Sequence, residues 1–485
     1  MPQAAHALTL LPPPPACKKA PMKKGSDVSN EYYDWRVTRK PERPWRHAYH
    51  QTLVDKVWIG IKANACTGTP ARLVNDAEQA LQRIRRIDRV TREIPKITYL
   101  IGWQHDGHDS KYPDWSVVNP RLQRAGDQTA RAGLVWLMEE ARKHHTTVSL
   151  HINMLDAYEN SPLWAEYLAR GVLLKVGNDL WRHPWAVWGG EQAYWIDFAR
   201  EWESGLAQRR IDGLLEMLPI REQGTIHIDA FYPPQFTDPQ PQQAAMRRIF
   251  RYWRDQGVDV TSENMGHMRM GEAFIGLQPM AWWLNYTGNI WEVQEVCEQV
   301  WMEIPASLYC GGVDKLELGT GQLFGTSMMG EGIEDVDDFR RPFCLQTLPW
   351  HYLNRHDRLR LVHEAAGTRT LELADGLLSQ VRNGQRTIRH NGRLLVDGTD
   401  VCVPALWRPH RELIAFSKAG YAGREWALLP DWRGVRAADL YDVRQTGLSF
   451  LRTTEISGEK LTLALQGGQM LSVVPSGTAR TALEA

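Results

Sequence analysis

Between about residues 50 and 350, short β-rich runs alternate with longer amphipathic stretches, and this alternation most constrains what the chain can fold into. Val57–Ile61, Ile97–Ile101, Thr147–Ile152, Thr225–Ala230 and Val258–Ser262 read as strands. Ala77–Val90, Thr129–His144, Glu201–Met217 and Gln242–Gln256 read as the helices between them. In Ala77–Val90 the apolar residues Ala80, Leu81, Ile84 and Ile87 recur at helical spacing, and Asp76 is placed to cap the start. Repeated βα units of this length imply a parallel sheet. A stretch of ~300 residues accommodates a (β/α)8 TIM-type barrel, which typically needs ~250. A doubly wound sheet is the alternative, but its glycine fingerprint is missing. Gly319-Thr-Gly321-Gln-Leu-Phe-Gly325 has the wrong third spacing and no strand before it, so it reads as a loop.

The ends of the chain have a different texture. Residues 1–30, with Pro12 to Pro15 and the pairs Lys18-Lys19 and Lys23-Lys24, carry no apolar period and read as a flexible tail. They make a poor secretory signal, because no basic region leads and prolines interrupt the apolar segment, which favours a cytoplasmic location. From residue 359 to 485, short alternating runs such as Leu413–Ser417, Glu425–Leu429, Lys460–Leu465 and Met470–Val474 are separated by Gly, Asn, Asp and Pro turns. That is the pattern of an antiparallel β-sandwich, which leaves residues 31–358 for the barrel. With 57 basic and 57 acidic residues, the chain has no charge excess to attract nucleic acid. No apolar run approaches the ~18 residues of a membrane span. Cys17, Cys66, Cys297, Cys310, Cys344 and Cys402 are too scattered for a metal knuckle or a disulfide frame. The pattern sets no oligomeric state, and it calls for no cofactor beyond an optional structural calcium.

One compositional feature points to a substrate. The chain has 21 Trp against 15 Tyr and 10 Phe. Trp fills cores, but its flat face also stacks on sugar C–H surfaces. Trp181, Trp185, Trp188 and Trp195 bunch together, and Trp282 and Trp283 are adjacent, so a carbohydrate partner is indicated.

In a barrel enzyme the reactive residues project from the C-terminal ends of strands. Thr-Ile-His-Ile-Asp-Ala-Phe-Tyr (225–232) delivers Asp229, flanked by His227 and Tyr232, and Val-Asp-Val-Thr-Ser-Glu (258–263) delivers Glu263. Their offset is close to one βα repeat, since ~250 residues over eight units gives about 31. Adjacent strands lie ~5 Å apart, and retaining glycosidases need a carboxylate pair ~5–5.5 Å apart. A single strand-end carboxylate also serves as a helix cap or ion-pair partner. Two carboxyls with opposite protonation need environments that push their pKa values apart, and Met265 or Trp282 would give Glu263 an apolar contact.

A third strand end is Tyr-Leu-Ile-Gly-Trp-Gln-His-Asp-Gly-His-Asp-Ser-Lys-Tyr-Pro-Asp-Trp (99–115). Its short polar groups His105, Asp106, His108 and Asp109 suit sugar hydroxyls, with Trp103 and Trp115 as stacking faces. His and Asp are also ordinary metal ligands. His105, His108, His151, His227 and Asp229 together would make a metal-dependent, amidohydrolase-like barrel, although neither HxH on the first strand nor HExxH is present. A non-catalytic sugar-binding barrel is the third reading.

The segment Gly102-Trp-Gln-His-Asp-Gly-His-Asp-Ser-Lys-Tyr-Pro-Asp-Trp115, followed by Leu150-His-Ile-Asn153, Ile228-Asp-Ala-Phe231 and Thr261-Ser-Glu-Asn264, resembles the catalytic barrel of glycoside hydrolase family 101. These are endo-α-N-acetylgalactosaminidases; the chain is similar also to the related family 129 α-N-acetylgalactosaminidases. The matching blocks span about residues 55 to 350. The resemblance implies a retaining enzyme acting on O-glycans, with Asp229 as nucleophile and Glu263 as acid/base. It further implies that Asp106 or Asp109 holds sugar hydroxyls, that His151 faces the sugar, and that Trp185 and Trp188 lie on a covering loop. Family 101 enzymes are usually far longer and flanked by many binding modules.

Overall fold

The computed structural model describes residues 44–61, 72–182, 191–229, 231–234, 237–262, 277, 279, 336–353, 355–356, 358–364 and 367–478. Five strands, β1 (Leu53–Trp58), β2 (Lys96–Ile101), β3 (Thr146–Asn153), β4 (Thr225–Asp229) and β5 (Asp259–Ser262), form one parallel sheet in strict sequence order. A doubly wound sheet reverses its order at a switch point, and none occurs among these strands. The further βα units expected between 263 and 335 lie outside the described residues, as does the loop at Gly319–Gly325. β1, β2 and β5 are buried along their whole length, as strands covered on both faces are.

The helices follow their start signals. Asp76 caps α1 (Ala77–Val90) by accepting from Gln79 N, and the Gln79 side chain accepts from Asp76 N in return. Thr129 caps α2 (Ala130–Arg142), and Asp238 caps the long helix Pro239–Asp255. The stretch read as one helix from Glu201 is in fact two, Phe198–Glu203 and Leu206–Met217. Gly205 separates them at φ +77°, a conformation open to glycine that breaks the helical ladder.

After residue 358 the chain forms twelve antiparallel strands, joined edge to edge in a single sheet rather than two. The eleven-residue strand Gly447–Ser457 pairs with Ala437–Arg444 along most of its length and with Lys460–Leu465 at its tip. The sheet turns a corner there, and Tyr421–Ala427 at its edge comes back over Arg393–Asp397. Trp426, Leu461 and Leu463 from the returning part then share a core with Cys402, Ala415 and Leu471. The expected sandwich therefore appears as one sheet folded over itself. Among the described residues, no helix is long and apolar enough to cross a membrane.

A buried ion cluster joins the parallel sheet's helical layer to this C-terminal sheet. Arg92 Nε donates to Glu412 Oε1 at 2.6 Å, and Ser472 Oγ donates to the same oxygen at 2.7 Å. Arg408 pairs with both Glu93 and Glu412. The Trp407 indole N–H closes the seam on the Arg92 carbonyl at 2.6 Å. Burial pushes the Glu412 carboxyl up, but Arg92, His410 and Ser472 outweigh it and hold the group at about 2. Its contribution is therefore complete above the ordinary value of 4.5 and is lost as pH falls toward about 2. Glu412→Gln takes the buried carboxylate from Arg92 and leaves Arg408 paired with Glu93 alone. Urea unfolding at neutral pH should show a loss of about 3–5 kcal/mol, and the difference should shrink in acid.

Candidate active site

The site begins with a backbone contact. β2 ends at Ile101, and the next residue, Gly102, has φ +74°; a Cβ there would lie 2.0 Å from Gly60 O. Gly107, at φ +130°, is held equally close to Gly60 and Ile61. His108 N donates to Gly60 O at 2.9 Å, which fixes the loop between them. Only glycine permits this approach, and it sets His108 and Asp109 over the end of the sheet.

The neighbouring strands supply the other groups. His151 on β3 stands opposite His227 on β4, and Asn153 opposite Asp229. His227 and Asp229 are two residues apart on one strand, so they share a face. His151 Nε2 lies 3.2 Å from Asp229 Oδ2. A ladder of rings runs through the site: Trp58 on His108 at 5.0 Å, His108 on His151 at 5.4 Å, His151 on His227 at 5.3 Å, and His227 on Tyr99 at 5.2 Å. His227 is fully buried, with Nδ1 2.8 Å from Thr261 Oγ1 on β5, so it supports His151 from below.

A second carboxyl, Asp156, lies just past β3 and was not singled out in the sequence. Asn153 orients it, since the Asn153 side-chain amide donates to Asp156 Oδ2 at 2.8 Å and its Oδ1 accepts from Asp156 N at 2.9 Å. Burial pushes this carboxyl up to about 7, with the Asp109 charge adding to the rise and hydrogen bonds to Asn153 and Trp195 opposing it. Tyr112 and Tyr158, buried and stacked at 6.1 Å, lie beside the same carboxyls. Burial, then the charges of Asp109, Asp156 and Asp229, push both phenols well up. The only local signal for these groups is a cluster of polar residues, Asn153, Asp156 and Tyr158, directly after a strand.

The remaining predicted residues divide clearly. Trp103 is fully buried, and its indole N–H donates to His151 O at 3.0 Å. It therefore backs the strand end instead of offering a stacking face. Trp115 is also buried, under the Arg210 guanidinium at 4.3 Å. Asp106 turns outward to Ser110 and Lys111, leaving Asp109 beside His108 at 3.4 Å. His105 is tied to Asp114 at 2.8 Å, away from the cluster. Trp181 and Trp195 pack with rings tilted by 37° at 4.1 Å, and half-buried Tyr232 meets Trp195 edge-on at 5.7 Å. Glu263, Met265, Trp185, Trp188 and Trp282 lie outside the described residues. Of the five ligands in the metal reading, three converge: His108, His151 and Asp229 offer donor atoms all within 4.8 Å of one another.

Residues 61–275 match the family model described as endo-alpha-N-acetylgalactosaminidase, glycoside hydrolase family 101. The resemblance carried by the motifs is real over that segment. The structure is also similar to alpha-N-acetylgalactosaminidase NagBb from Bifidobacterium bifidum. Its GalNAc complex aligns with a TM-score of 0.52 at 13% identity, over 71% of this chain and 59% of that one. Its ligand-free form gives 0.51 at 13% identity, over 69% and 57%. At that identity the likeness is one of fold, and this chain spans less than two thirds of those neighbours. No curated protein sequence matches the chain.

The buried Asp156 carboxyl makes the site sensitive to pH. Its folded value of about 7 lies above the ordinary 3.8, so the stability of its neutral form is complete below 3.8 and lost as pH rises through about 7. Asp156→Asn removes that titration. In thermal melts, the variant should gain on the parent as pH rises from about 4 to about 7, with no further gain above. A constant difference across that range would contradict the assignment.

Proposed function

We infer that the chain is a retaining glycoside hydrolase cleaving α-linked N-acetylgalactosamine, or a related galacto-configured sugar, from O-glycan-type substrates. The register of β4 and β5 carries this reading: Ile228 stands opposite Ser262, and in sequence the next residues are Asp229 and Glu263. Neighbouring strands are ~4.8 Å apart, close to the ~5–5.5 Å that separates the carboxyls of a retaining pair. The family 101 match covers both positions. In this reading the five parallel strands belong to a closed (β/α)8 barrel whose C-terminal rim holds the sugar.

Glu263, protonated, gives its proton to the glycosidic oxygen while the Asp229 carboxylate attacks the anomeric carbon; the C–O bond breaks and the aglycone leaves as an alcohol. Water then attacks the glycosyl-enzyme, Glu263 takes its proton, and the Asp229 carboxylate is released with configuration retained. His151, 3.2 Å from Asp229, holds the nucleophile's orientation. Asp109 and His108 offer hydrogen bonds to sugar hydroxyls, and the half-buried Trp181 and Tyr232, both packed on Trp195, offer aromatic faces. This chemistry needs no cofactor.

The test uses aryl α-glycosides of N-acetylgalactosamine and of galactosyl-β-1,3-N-acetylgalactosamine. Asp229→Asn should lower kcat by about 10³-fold or more with the fold intact. Glu263→Gln should lose about 10²–10⁴-fold on poor leaving groups and much less on activated aryl groups, which need the proton least. Release from the disaccharide alone indicates endo action, and release from the monosaccharide indicates exo action. Silence of the parent enzyme on both contradicts the substrate assignment.

A further inference from the structure

We propose that His108, His151 and Asp229 form a site for one divalent transition-metal ion of the Zn2+ class, occupied in competition with the sugar. The competition rests on the glycosidase reading; the metal binding does not.

Two imidazoles and one carboxylate are a donor set that binds Zn2+ with a position left open. Imidazole suits Zn2+, Cu2+ or Ni2+, whereas Ca2+ and Mg2+ prefer oxygen ligands throughout. With bonds of 2.0–2.2 Å, two donors of one tetrahedral Zn2+ stand roughly 3.4 Å apart. His151 Nε2 and Asp229 Oδ2 already lie at 3.2 Å, and the whole set is within 4.8 Å. Closing the set from at most 4.8 Å to roughly 3.4 Å needs a shift of about 1.4 Å or less.

The three groups are also held in place from outside. Metal-binding histidines commonly hydrogen-bond a carboxylate through their other ring nitrogen. Asp109 Oδ2 lies 3.4 Å from His108 Nε2, and among the described residues the buried His108 Nδ1 has no hydrogen-bond partner. Gly60 fixes the His108 loop, and the pairing of His151 with His227 fixes the strand end. His105 and His227 lie outside the set: His105 turns to Asp114, and only His108, His151 and Asp229 bring donor atoms within 4.8 Å of one another. A metal held by Asp229 occupies the carboxylate that attacks the sugar, so the loaded form is inactive.

The full chain is first treated with chelator. Zn2+ is then measured by competition with a chromophoric chelator, and Co2+ by its visible absorption, for the parent, His108→Ala, His151→Ala and the control His410→Ala. We expect one equivalent bound by the parent and by the control, with affinity about tenfold or more weaker in either site variant. No stoichiometric binding by the parent, or equal binding by His108→Ala, overturns the site. Thermal melts of the metal-free variants check folding, and His108→Gln replaces any variant that fails.

Turnover of the aryl glycosides separates the two readings. Activity in chelator that disappears as the site fills supports the competition, and activity that persists with metal bound overturns it. Activity only with metal overturns both the competition and the glycosidase mechanism. No activity in any condition, with binding still lost in His108→Ala, leaves the metal site standing and contradicts the glycosidase reading alone.

Discussion

The candidate site depends on how closely the backbone of Gly60 approaches Gly102 and Gly107. No side chain fits at Gly102, where a Cβ would lie 2.0 Å from Gly60 O. The contact closes the β2 loop down onto the first strand's extension, and that loop carries His108 and Asp109. β3 and β4 then bring His151 and Asp229 alongside, because parallel strands in sequence order align their C-terminal ends. Geometry of this kind comes from backbone pairing, which holds position better than flexible loops can.

Electrostatics divides the acidic groups of this region. Asp114 is offset from the His108, His151 and Asp229 cluster; burial raises it, but hydrogen bonds from His105 and Ser116 outweigh that and keep it below its ordinary value. Asp156 has only Asn153 and Trp195 against burial and the Asp109 charge, and it rises to about 7. Two carboxyls past neighbouring strands thus favour opposite protonation states, set by whether hydrogen bonds outweigh burial. The ion cluster around Glu412 works differently. There two arginines hold a buried carboxylate ionised, and its role is to lock the C-terminal sheet against the helix layer.

Much of the scaffold was legible in the sequence because its signals are local. The capping box at Asp76 and Gln79 marks α1 to the residue, and the strand ends at Asp229 and Ser262 follow from β-rich runs meeting polar residues. The break at Gly205 was hidden because the apolar period continues through it. Trp103 looked like a stacking platform because composition reports a ring but not which way it faces; the structure buries it under His151. Asp156 has no motif of its own, and its chemistry comes from burial and from Asp109, which only the folded chain brings near. The C-terminal strands were readable as antiparallel from their turns, but whether they form two sheets or one depends on the length of Gly447–Ser457.

The central claim is that Asp229 attacks the anomeric carbon of an α-linked sugar. Proton NMR of the first-formed product, recorded on an aryl α-N-acetylgalactosaminide before the anomers equilibrate, tests it most directly. The account predicts that the α-anomer appears first. Initial release of the β-anomer would mean a single displacement by water, and would contradict a nucleophilic role for Asp229.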